Sequence, residues 1–319
     1  MQTTWGWLPA IYLFLGGLGA GAFLIAAAME WSGQQYQRPF CPTALVGSTV
    51  GGPLLLLGTV LLIFDLGAGL KEPWRIFYMF THFRSVMTWG VWILSLFIPL
   101  CFLYGFLELM ELYPRVWRGL FARRFPPLRR LPLRQIKHWV AGVGSLFAVG
   151  TAIYTGVLLS TVGPSIPFWS TPIASWLRIP MLPVLFLVSA VSTGMGLTFD
   201  LAATLALPSI QRMLKKLDAV HLVLIGVEAV LLGIMLLVAL EQGGVAARSA
   251  MFIMTGPVSI TFWIGVVLLG LVYPFVVHAY AVGAGRHSLA SGLGSGAGIV
   301  IAGMFLRYII IVSGIPAAL

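Results

Sequence analysis

Of the chain's 319 residues, 59% are hydrophobic and only 9% charged, with a mean hydropathy of +0.99, so it lies outside the composition of soluble domains. The 19 basic and 9 acidic residues leave a net charge of +10, which points to nucleic acid only if the cations are not simply held in short loops between membrane spans. Cys41 and Cys101 are far apart, with no C-x-x-C and no Cys/His cluster, which excludes a zinc site or an iron–sulfur ligand set supplied by this protein alone.

Eight apolar segments of spanning length follow one another, roughly 8–29, 45–69, 86–108, 138–163, 181–207, 219–240, 257–282 and 289–312. Isolated strands this long and apolar would leave backbone groups unpaired in lipid, so the segments are read as helices. The expectation is an all-α integral membrane protein, a single polytopic domain of eight transmembrane helices packed as two four-helix bundles. The first span has no basic region or cleavage site before it and is read as retained, not as a signal peptide.

An even number of spans puts both termini on one side. With that side outside, the loops after spans one, three, five and seven carry 13 basic residues against five in the others. That bias orients both termini outward, periplasmic for a bacterial inner membrane. Eight of the 13 fall within the cytoplasmic loop read at 110–137, from Arg115 to Lys137, which is an orientation signal and a lipid-headgroup contact. Nucleic acid binding is thereby disfavoured.

Along the chain, Gly17-x-x-x-Gly21 in span one is the small-residue spacing that lets two helices approach closely. The stretch Tyr154–Gly194 reads as two spans joined by a short proline and aromatic loop around Pro167–Pro172, with Tyr154 and several hydroxyls beside that membrane surface. In hydrocarbon such groups need partners or a cavity, so they either bond backbone carbonyls across the helix pair or mark a pocket for an amphipathic ligand. With a helical rise of about 1.5 Å per residue converting sequence offset to depth, Tyr12, Asp65, Trp89, Tyr154, Ser189, Ser192 and Arg307 all fall in the outer third. An arginine and an aspartate at one level in lipid are expected to pair, here Asp65 with Arg307.

A quinone ring needs hydrogen-bonding groups for its two oxygens and a proton carrier nearby, and this set supplies both. Glu228 falls near the midplane; Asp200, Asp218, His138, His221 and His278 lie lower, and Glu228, Asp200, Asp218 and His221 read as a proton path from the cytoplasm. The histidines sit at one edge, so a haem between facing histidines is not expected, nor a metal site. A transporter using the same charges without redox chemistry is the alternative, and it calls for matching helix breaks in the two halves. Pro53 and Pro274 lie inside spans but do not form such a pair.

The chain resembles the NrfD and polysulfide-reductase family of membrane subunits. The resemblance is carried by Tyr12-Leu-Phe-Leu-Gly-Gly, Asp65-Leu-Gly with Trp74-Arg-Ile-Phe, and Ser85-Val-Met-Thr-Trp89-Gly. Also matching are Tyr154-Thr-Gly-Val-Leu-Leu, Pro167-Phe-Trp, the run from Leu182 to Gly194, Glu228 and Leu306-Arg-Tyr-Ile, in family order. The resemblance implies two four-helix bundles with a menaquinone or ubiquinone site near the outer surface at Tyr12 and Tyr154; on that footing Tyr12 and Tyr154 are expected to hydrogen-bond the ring oxygens, Asp65 to take or relay the proton, and Arg307 to hold that acid ionised. It implies no redox cofactor in this subunit, and electrons exchanged with a four-cluster ferredoxin-like iron–sulfur subunit docked outside. Through that subunit the electrons reach a molybdopterin or multihaem cytochrome catalytic subunit. Two features depart from the pattern: some members carry histidine where Tyr12 stands, and Ala174–Pro180 are extra residues in the outer loop.

Overall fold

Long apolar runs satisfy their backbone N–H and C=O groups within the segment when they coil into helices, and the described residues do this eight times. In this computed structural model, which describes residues 6–33, 42–65, 75–113, 115, 132–163, 165–174, 177–284 and 289–317, the spans are Trp7–Ser32, Thr43–Asp65, Val86–Leu112, Leu133–Ser160, Leu182–Ala202, Asp218–Gln242, Thr261–Gly283 and Ser291–Val312. The protein is an all-α integral membrane protein. Most of the basic loop read at 110–137 lies outside the described residues, as does the end of the second segment beyond Asp65.

The helices are α1 (Trp7–Gly33), α2 (Pro42–Asp65), the single turn α3 (Arg75–Tyr78), α4 (Val86–Leu112), α5 (Leu133–Ser160), α6 (Leu182–Gln242), α7 (Gly244–Met254), α8 (Tyr273–Ala284) and α9 (Leu289–Val312). Residues Thr261–Val272, ahead of α8, wind in the wider π register. Pro274, which has no N–H to donate, begins the return to the α register. Pro53, by contrast, sits within an unbroken α2, so the two prolines do not make the matched helix breaks a transporter of inverted repeats would carry.

Helix α6 is helical along all 61 residues and still supplies two spans. A straight helix would hold Ser189 and Glu228 about 58 Å apart at 1.5 Å per residue. Instead, Glu228 lies against Ser189 and Ser192, so two arms run side by side, with Pro208 between them in sequence.

Helices α1, α2, α4 and α5 form an N-terminal bundle around Phe23, Phe97, Tyr104 and Ala148. The arms of α6, the π segment with α8, and α9 form a second bundle around Leu185, Phe186, Leu232, Leu306 and Ile310. Between them runs α1, with 89% of its spanning window buried. Its glycines explain how it fits there: a Cβ on Gly21 would lie 1.8 Å from the Ala190 carbonyl oxygen, and one on Gly194 2.2 Å from the Gly21 carbonyl carbon. The Gly17-x-x-x-Gly21 reading therefore holds, with α6 as the partner.

The connection between α5 and α6 carries more structure than the sequence reading expects. Pro167–Ser170 make a 3₁₀ turn that buries Trp169, whose Nε1 donates to the Ile310 carbonyl at 2.8 Å. The extra residues fold as a small antiparallel hairpin, Pro172–Ala174 (β1) against Leu177–Pro180 (β2). Helix α7 was not anticipated either. It follows Gly243 and Gly244, whose φ angles of 69° and 56° most side chains avoid.

Candidate functional site

Four helices of the N-terminal bundle close around a narrow apolar crevice, partly open to the outside and about 30 Å³ in volume, smaller than a drug-sized ligand site. Tyr12, Leu13 and Gly16 of α1, Gly58, Thr59 and Leu62 of α2, Leu94 of α4, and Thr151, Tyr154, Thr155 and Leu158 of α5 line it. The threonine hydroxyls turn back to their own helices: Thr59 donates to Leu55 at 2.8 Å, Thr151 to Phe147 at 2.9 Å and Thr155 to Ala152 at 2.7 Å. That leaves the two phenols as the polar side chains available to an occupant.

The Tyr12 hydroxyl is hydrogen-bonded to Asp65, and Tyr154 lies within electrostatic reach of it. Asp65 is the exposed last residue of α2, where the helix macrodipole disfavours an acid. The Tyr154 ring lies flat on Gly90 of α4, where a Cβ would come 1.9 Å from its Cζ. The sequence reading passed over Gly90 in favour of its neighbour. Trp89 is 56% exposed, donates Nε1 to the Phe83 carbonyl at 3.0 Å and packs on the Phe83 ring, so it belongs to an interfacial aromatic group and not to the crevice.

Arg307 does not pair with Asp65. It is fully buried, and its Nη1 donates to Ser189 Oγ at 2.5 Å and to the Gly303 carbonyl at 3.1 Å. Its guanidinium lies 4.9 Å from the centroid of the Phe186 ring. The acid within its electrostatic reach is Glu228, which also lies against Ser189 and Ser192. Depth placed Asp65 and Arg307 at one level, but Asp65 ends α2 in the N-terminal bundle while Arg307 turns from α9 toward α6. Room for the guanidinium comes from Gly17 of α1, where a Cβ would sit 3.3 Å from Nη2.

Below this pair, buried polar groups continue through the second bundle. His221 reaches the Ser192 backbone, and its ring centroid is 4.6 Å from that of His278. His278 Nδ1 is 2.9 Å from Asp218 Oδ1, and its Nε2 is 3.1 Å from the Ser295 hydroxyl. Asp218, His221, His278 and Ser295 are all buried. Asp200 packs on Gly296 of α9, where a Cβ would meet its Oδ2. His138 stands apart from the other histidines, 3.4 Å from Glu30 in the N-terminal bundle. Ser295 went unread because a serine in a Gly-Ser-Ala-rich span looks like packing. Among the described residues, no group of three His, Cys, Asp or Glu is placed to hold a metal ion.

The family model described as "Polysulphide reductase, NrfD" matches residues 1–317. The protein belongs to the NrfD family. The C subunit of polysulfide reductase from Wolinella succinogenes is 33% identical over 324 residues, an alignment that spans 97% of the present sequence and 94% of that protein. An NrfD homolog of Haemophilus influenzae is 26% identical over 286 residues, spanning 86% and 83%. Protein NrfD of Escherichia coli is 31% identical over 205 residues, spanning 60% of the present sequence and 57% of its own. The resemblance read from motifs thus holds for this NrfD-family protein along essentially its whole length, including the stretches that carry Tyr12, Asp65, Tyr154 and Arg307.

Proposed function

We propose that this protein is the quinone-reactive membrane subunit of a respiratory reductase complex in the bacterial inner membrane. In this reading it exchanges two electrons between menaquinol or ubiquinol and an iron–sulfur partner on the periplasmic face, the side on which both termini lie. The observation that carries the reading is the pair of phenols from different helices in one apolar crevice, with Asp65 hydrogen-bonded to one of them. The names of the relatives agree with a place in a reductase complex. The four-cluster ferredoxin-like partner and the molybdopterin or multihaem catalytic subunit beyond it rest on the family resemblance.

The residues present fit a quinone. Leucines from α1, α2, α4 and α5 exclude water from the ring, and Tyr12 and Tyr154 meet the oxygens at its two ends. When bound, the quinol supplies two electrons and two protons. A phenol has one proton to donate, and the Tyr12 hydroxyl gives it to Asp65, so its oxygen is left to accept from the ring hydroxyl; taking that proton, Tyr12 passes its own to Asp65, which is exposed and can release it to the outer surface. Tyr154 is held by Gly90 and orients the second oxygen. In the second bundle, Asp218, His278, His221, Ser192 and Glu228 form the proton path, closed at its upper end by Arg307, with Asp200 beside it on α9.

Tyr154→Phe and Asp65→Asn are expected to abolish quinol-dependent turnover in membranes while the complex still assembles. Wild-type rates in both variants would remove the site. Co-purification of an iron–sulfur subunit with the wild-type protein is expected as well, and a protein that purifies alone and moves ions without electron transfer would favour transport.

A further inference from the structure

At the end of the N-terminal bundle opposite the crevice, three carboxyl groups converge on one lysine. Lys137, in the first turns of α5 and 3% exposed, lies 2.7 Å from Glu30 Oε2 of α1, 2.7 Å from Glu111 Oε2 and 3.2 Å from Glu108 Oε1, both of α4. His138, the next residue, stands 3.4 Å from Glu30 Oε1. Arg134, one turn earlier on α5, is exposed, and the described start of α2 offers hydroxyls such as Thr43 but no titratable side chain. Counting the described residues, if all three acids were ionised, one ammonium would offset one of three negative charges, and a protonated His138 one more. A buried charge left over costs several kcal/mol, and a carboxyl group escapes that cost by binding a proton.

The geometry distinguishes which acid does so. Glu30 and Glu111 each hold the lysine at hydrogen-bonding distance, and their side chains are 11% and 19% exposed. Glu108 has the longest contact and a side chain 1% exposed. Both of its oxygens are buried without a hydrogen-bond partner among the described residues, and the 3.2 Å contact to Lys137 is made by Oε1, which leaves Oε2 to carry a proton. Toward the crevice the way is packed with Tyr104, Cys101, Phe97 and Phe23. Toward the surface it passes the half-open Glu111.

We propose that Glu108 is a proton-binding site: in the folded protein it is a neutral acid, protonated on Oε2 and exchanging with water at this membrane surface past Glu111. It is separate from the phenol crevice, about 25 Å away along α5 at 1.5 Å per residue, and does not depend on what that crevice binds. A neutral Glu108 lets three helix ends meet around one lysine, and losing its proton adds a buried negative charge there.

The test is infrared spectroscopy of the purified intact complex in water and in D₂O, since a carboxylic acid has a C=O stretch that an ionised carboxylate lacks. E108Q is expected to lose one deuterium-sensitive acid band that E30Q and E111Q both retain. It is also expected to assemble with a thermal midpoint near wild type and unchanged quinol turnover, because the amide replaces a neutral group of the same shape. An acid-band region identical to wild type in E108Q would overturn the assignment. So would an E108Q protein that fails to assemble or melts as early as K137M, the behaviour of an ionised Glu108 whose pairing holds the helices.

Discussion

At the scale of single residues, the chemistry rests on which side chains face each other, and depth alone does not decide that. Sequence offset gives height in the membrane, which was enough to group Tyr12 with Tyr154 and to pick out Arg307 and Glu228 as buried charges. It says nothing of rotation about the helix axis, so it pairs Arg307 with Asp65, whereas the guanidinium turns to Ser189 of α6, with Glu228 within electrostatic reach. Trp89 was read as a pocket residue, yet its neighbour Gly90 makes the contact: the Tyr154 ring needs the volume a Cβ would fill. Gly90→Ala is therefore expected to lower quinol turnover by about tenfold or more, some 1.4 kcal/mol of barrier, at near-normal complex yield. Turnover like wild type would mean that Tyr154 is not held in place by that contact. Removing the cation in Arg307→Met leaves Glu228 buried without its countercharge and is expected to cost about 3–5 kcal/mol. The double variant with Glu228→Gln should regain much of that loss, read as thermal midpoints in detergent. If the two losses simply add, the groups are not coupled.

The elements were legible in proportion to their length. Spans of 21 to 28 residues declare themselves by apolarity, and the glycine spacing in α1 named the face that packs, though not its partner. The β1–β2 hairpin and α7 were not read, because elements of three to eleven residues carry too little periodicity to be separated from loop. The α1–α6 crossing sets the distance between the bundles, and at Gly21 the opposing atom is a backbone oxygen that cannot rotate away. Gly21→Ala is thus expected to destabilise the protein by about 1–3 kcal/mol, in the range of overpacked interiors, and to lower its melting midpoint. By contrast, Gly226→Ala, at a site with open space around the added methyl, should be near neutral. Equal midpoints for the two variants would show that the crossing is looser than drawn.

For the whole molecule, the two bundles divide the polar groups between them. The N-terminal bundle holds the phenol crevice at one end and the Lys137 cluster at the other, separated by apolar core. The second bundle holds a buried polar series from Arg307 to Asp218. Family membership fixes the protein among NrfD proteins, but which bundle receives the ligand is a question of geometry. The most direct measurement is photolabelling of the purified complex with an azidoquinone, followed by mapping of the modified peptides and competition with unlabelled quinol. Label in α1 around Tyr12 and in α5 around Tyr154, displaced by quinol, is the result predicted. Label confined to α6 and α9, or label in α1 and α5 that quinol does not displace, would contradict it.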